Sequence, residues 1–70
     1  MSNFPKAPIN RILKQYNPRA SASAVDTLCE IIDNIMDDIS EGSADFRKAS
    51  GRKTVKGTDV LRAAKLLGLY

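Results

Sequence analysis

Eleven lysines and arginines and eight acids, set out in blocks along 70 residues, are the groups in this chain whose type and spacing could do chemistry. Residues 1–25 hold Lys6, Arg11, Lys14 and Arg19 and no acid. Residues 26–45 hold Asp26, Glu30, Asp33, Asp37, Asp38, Glu41 and Asp45 and no base. Residues 46–70 return to Arg47, Lys48, Arg52, Lys53, Lys56, Arg62 and Lys65 against Asp59 alone. The net charge of +3 is too small to point to a polyanionic partner, but the distribution is informative. It reads either as solvated helix faces of alternating sign or as one basic surface and one acidic surface. The densest instruction is Ser50–Val55, "SGRKTV": a turn residue, two adjacent cations, a hydroxyl and a β-branched residue, too specific a set for an ordinary linker.

Other chemistries are poorly supplied. Histidine is absent and Cys29 is the single cysteine, which excludes an intrachain disulfide and a Cys/His zinc site. Cys29 reads as a buried thiol on an apolar helix face. There is no glycine-rich phosphate loop of the required spacing and no nucleophile with a base, so no enzyme activity, cofactor or metal is expected. Asp33, Asp37 and Asp38 fit the solvated face of a helix better than a metal site. The first residues lack the apolar stretch of a secretory signal, and no apolar run approaches the ~20 residues that cross a bilayer. The expectation is a soluble intracellular protein.

Three helices must position these groups. Ile9, Ile12, Leu13 and Tyr16 lie at offsets 0, 3, 4 and 7, one apolar helix face, with Pro8 in the first turn; this predicts a helix over about 8–16. Asn17-Pro18 ends it, because the residue before proline is pushed out of the α region. Ser21 is the expected N-cap of the next helix, with Ser23 a weaker competitor and Asp26 near its positive end. Val25, Leu28, Ile32, Ile35, Ile39, Phe46 and Ala49 then hold a 3,4 spacing that skips only position 42, widened by Cys29, Ile31 and Met36. Gly42 is a break signal, but Phe46 keeps the register of Ile39, so one helix over about 22–49 is predicted. Gly51 supplies its stop, and Arg47 and Lys48 suit the last turn. Lys53–Val55 forms a short extended piece leading back to the core. A last helix over about 57–67 turns Val60, Ala63, Ala64 and Leu67 inward. Leu66, Leu69 and Tyr70 make an apolar tail that should be docked. All 70 residues are read as one domain.

A helix of ~28 residues is ~42 Å long, whereas a 70-residue globule is only ~28 Å across. The short helices can cover only part of its stripe. The expected solution is an obligate dimer with crossing long helices, whose core is built on Leu28, Ile32, Ile35 and Ile39.

The segments Ala7–Lys14 ("APINRILK"), Arg19-Ala20-Ser21 and Gly51–Val60 ("GRKTVKGTDV"), at these separations, resemble the histone fold, and more closely the minimal archaeal histones. The resemblance covers roughly residues 6–67 and implies an all-α short–long–short fold in a head-to-tail handshake dimer. It implies a sequence-tolerant chromatin protein, associated with the chromosome in the cytoplasm, that binds and bends or wraps double-stranded DNA and compacts the genome. Such binding works chiefly through phosphates and minor-groove arginines. An alternative within the same fold is a dimerisation module of a transcription-related complex.

Position by position, the resemblance assigns Arg11, Lys14, Lys53 and Lys56 to the DNA backbone and Arg19 to the minor groove, steadied by the partner's Thr54. It pairs Arg52 with Asp59 to fix the loop. Contacts between dimers would use Phe46, Ala49, Asp59 and Arg62, with Ala49 where the family commonly has a histidine. The partner copy is either identical or a paralogue, and higher oligomers on DNA are expected.

Overall fold

The computed structural model describes residues 5–70, which form three helices, α1 (Lys6–Tyr16), α2 (Ala22–Ala49) and α3 (Gly57–Leu66), with no strand among the described residues. The chain divides into two compact units, one up to Ile35 and one over Met36–Tyr70, with α2 running through both.

In the first unit, α1 starts two residues before the sequence expectation, with Pro5 at the N-cap, φ −60° and ψ 129°. Pro8 still falls in the first turn, where the missing N–H costs nothing. The apolar stripe buries Ile9 against Val25 and Cys29, and Leu13, Ala20, Leu28 and Ile32 pack around them. Asn17 is extended, as a residue before proline must be, and its Nδ2 donates to the Leu13 carbonyl at 2.9 Å, satisfying one of the open acceptors at the helix end. Ser21 caps α2: its Oγ accepts the Ala24 N–H at 3.1 Å and lies 3.1 Å from the Ser23 hydroxyl. The placing of Asp26 differs from expectation. The first turn of α2 holds no acid, and Asp26, one residue beyond it, pairs with Lys6 of α1 at 2.7 Å.

The second unit explains Gly42. The helix is continuous through it, and a Cβ built there would stand 3.1 Å from the Ala63 Cβ. The glycine admits α3 to α2 at close range, and Ala63 is buried beneath the crossing. A signal that resembles a break in one dimension is a helix contact in three. Next to it Ser43, also buried, donates its hydroxyl to the Ile39 carbonyl at 2.6 Å, so this polar side chain is satisfied inside its own helix.

Both later helices end on a left-handed glycine. Gly51 has φ +71°, with Gly51 N–H to Lys48 O at 3.0 Å and Arg52 N–H to Arg47 O at 3.2 Å. Gly68, at φ +75°, repeats the pattern through Gly68 N–H to Lys65 O and Leu69 N–H to Ala64 O. These paired bonds close the last carbonyls of each helix. Two expectations about the loop and tail are corrected. Lys53 and Thr54 form a bend and not an extended piece, and Val55 is 49% exposed, so it does not enter the core of its own chain. The tail does not dock on its own chain either: Leu66, Leu69 and Tyr70 are 78%, 48% and 83% exposed.

Candidate nucleic-acid interface

The cations of the first unit are carried by a rigid frame. Arg11 and Lys14 are three apart on α1, hence neighbours on its surface, and both are exposed. The loop that follows is pinned at one end by the Asn17 cap and Pro18 and at the other by the Ser21 cap. Arg19 stands exposed between those two anchors, while the adjacent Ala20 packs on the core of the unit.

The second loop is built around a buried carboxylate. Asp59 is 1% exposed. Its Oδ1 accepts Arg52 Nη2 at 2.8 Å, and its Oδ2 accepts Arg52 Nη1 at 2.9 Å and the Lys56 N–H at 2.9 Å. This is a two-pronged guanidinium–carboxylate pair combined with the N-terminal cap of α3. The same Arg52 Nη1 donates to the Thr54 carbonyl at 2.9 Å, and Arg47 Nη1 donates to the Arg52 carbonyl at 2.7 Å. The Arg52 guanidinium and then the Lys56 N–H hold the Asp59 carboxyl down to about 2, with the charges of Arg52 and Arg62 assisting and burial opposing. The hydrogen bond to Asp59 raises Arg52 in turn.

The cations of this region therefore divide by job. Arg47 and Arg52 turn to the loop's own carbonyls and to Asp59, whereas Lys53, Thr54 and Lys56 are exposed. The sequence pattern assigned Arg47 only to the helix dipole; its hydrogen bond to the Arg52 carbonyl depends on the return of the loop and has no local signature.

Among the residues assigned to contacts between dimers, Ala49 and Arg62 are exposed and Phe46 is half-buried. Asp59 is buried and paired with Arg52, and its Oδ1 accepts a single hydrogen bond. The residues assigned to the dimer core, Leu28, Ile32, Ile35 and Ile39, are half-buried, and Ile12, Ile31 and Met36 stay about half exposed. In the second unit an open, mainly apolar groove of ≈ 530 Å³ runs between Met36, Ile39, Val55 and Val60.

No helix among the described residues is long and apolar enough to cross a membrane. Residues 2–64 match the family described as histone-like transcription factor (CBF/NF-Y) and archaeal histone. The chain is 39% identical over 58 residues to the DNA-binding protein HmvA of Methanocaldococcus jannaschii, a match covering 81% of this chain and 60% of that protein. It is 33% identical over 66 residues to a chain of the archaeal histone HAN1 of Thermococcus zilligii, covering 93% of this chain and 98% of that one. With a short–long–short order of helices and a family match over nearly its whole length, the chain belongs to the histone-like transcription factor and archaeal histone family and has the histone fold.

Proposed function

We propose that this protein is a chromosome-associated DNA-binding protein that dimerises and bends or wraps duplex DNA with little regard to sequence, compacting the genome. The observation that carries the reading is the division of the polar groups. Arg47 and Arg52 are spent on holding the second loop, while Arg11 and Lys14 on α1 and Arg19, Lys53, Thr54 and Lys56 in the loops all stay exposed. Exposed cations on a rigid frame neutralise phosphates without reading bases, which is the basis of sequence-tolerant binding. In the dimer, Arg19 of one chain enters the minor groove beside Thr54 of the other, so the site is completed by the partner.

Dimerisation follows from the apolar surface. Covering a half-exposed Ile or Met side chain is worth on the order of 1 kcal/mol, and Ile12, Ile31 and Met36 together with the groove at Val55 and Val60 offer several such side chains. A second copy, identical or paralogous, is the occupant, and dimers line up along DNA into higher oligomers. The names of the two relatives, one a DNA-binding protein and one an archaeal histone, support DNA over the alternative of a transcription-complex adaptor.

The test is duplex retardation and bending measured across a salt series. The logarithm of affinity should fall linearly with the logarithm of salt concentration, and Arg19→Ala should flatten that slope by about 1.8 for a dimer that loses two contacts. It should also reduce the bend while leaving the dimer folded. A parent protein that fails to retard duplex DNA at low salt would overturn the reading.

A further inference from the structure

The sole acid between Met1 and Cys29 is Asp26, and it lies on a cation of the same basic block. Lys6 Nζ and Asp26 Oδ1 are 2.7 Å apart, and the two side chains are 54% and 52% exposed. Nothing local requires an acid at this position. Asp26 lies past the first turn of α2, so it does not cap the helix, and that role belongs to Ser21. Nor is the pair a buried structural tie of the kind formed by Arg52 and Asp59, since solvent reaches both partners. One side of the pair reaches the first loop through Ala20. Lys6 and Asp26 line an open groove of ≈ 430 Å³ together with Asn10 of α1 and Ala20, the neighbour of Arg19. Lys6, Arg11, Lys14 and Arg19 thus belong to one unit, and the carboxylate occupies the outermost of them in chain order.

We propose that Asp26 acts as a built-in competitor for DNA phosphate, holding Lys6 off the nucleic acid and making it a latent phosphate ligand of this surface. The proposal rests on the DNA-binding reading. A carboxylate and a phosphate compete for the same ammonium, and an exposed ion pair is weak enough for its removal to leave the fold intact. The consequence is a lower affinity and a shallower salt dependence than the number of cations would give. Wrapping is thereby kept reversible at moderate salt.

The experiment compares the dependence of duplex affinity on salt for the parent protein, Asp26→Asn, Asp26→Glu and the double variant Lys6→Met/Asp26→Asn, with helical content checked for each. Asp26→Asn should bind more tightly and steepen the logarithmic salt slope by about 0.9 per chain, about 1.8 per dimer. Asp26→Glu, which keeps the carboxylate, should keep the parental slope. The double variant should return to the parental slope, because the gained contact is Lys6 itself. If the double variant, whose net charge equals the parent's, retains the steeper slope, the gained contact is not Lys6 and the proposal is wrong. It is also overturned if Asp26→Asn leaves the slope unchanged while the parent still binds DNA in the expected salt-dependent way. That result leaves the DNA reading intact, whereas a parent that does not bind DNA at all removes both.

Discussion

The two halves of the molecule are equal in length and held by different means. In the unit up to Ile35 the buried residues among those described are Ile9, Val25 and Cys29, all apolar, and the Lys6–Asp26 ion pair lies on the surface. In the unit from Met36 the buried residues are Ser43, Asp59 and Ala63, two of them polar, and the ion pair is sunk into the structure with Asp59 at 1% exposure. The same pairing of cation and carboxylate therefore has two meanings. At half exposure water and salt screen it, and it can be rearranged without loss of the fold. When the carboxylate is buried it becomes a structural element, because removing one partner leaves the other desolvated and unpaired. The ion pair of the first unit can therefore rearrange to suit a ligand, and that of the second cannot.

The largest effect should come from breaking the buried pair. Asp59→Asn removes the charge that holds Arg52 and weakens the cap of α3. Its urea midpoint should fall more than that of any other single change considered, and an unchanged midpoint would show that the loop is held by other contacts. Acid gives the same comparison in graded form. Asp59 titrates near 2 when folded, below its ordinary value of 3.8, so it stabilises the folded state above pH 4. That contribution is lost as pH falls from about 4 to about 2, and acid unfolding followed by circular dichroism should show a transition in that window which Asp59→Asn lacks.

Next in size is the apolar contact of the second unit. Gly42→Leu drives a large side chain into Ala63, at a place where a bare Cβ already stands at 3.1 Å, and should cost roughly 1–3 kcal/mol in denaturant unfolding. Gly42→Ala sets that tight contact against a helix-propensity gain of about 1 kcal/mol and should come out near neutral. A clear gain in stability for Gly42→Leu would mean that the helices do not meet there. The smallest effect belongs to the surface pair. Lys6→Met should leave the thermal midpoint within error, and a drop approaching that of Asp59→Asn would erase the distinction between the two units.

Much of this was legible in one dimension because it depends on neighbours in the chain. The helix order, the Ser21 cap, the stop at Gly51 and the continuity of α2 through Gly42 follow from spacing and backbone preference. The Arg52–Asp59 pair was reached through family resemblance, since seven residues separate the partners and a loop must fold back to join them. At Gly42 and Asp26 the information missing from local patterning was a contact between elements. Gly42 looked like a weakness until Ala63 was found against it. Asp26 looked like a helix-dipole residue until Lys6 of another helix reached it.

Periodicity, caps and charge blocks were enough to specify three helices, a basic loop at each end of the long one and an apolar stripe too long for one chain to cover. Those properties arise from interactions within a few residues, which the linear order states directly. Only the tertiary structure decided which cations are spent on the fold and which remain at the surface. That choice depends on desolvation and on partners brought together by packing, and a carboxylate in the sequence carries no mark of whether it will be buried beside an arginine or left in water beside a lysine.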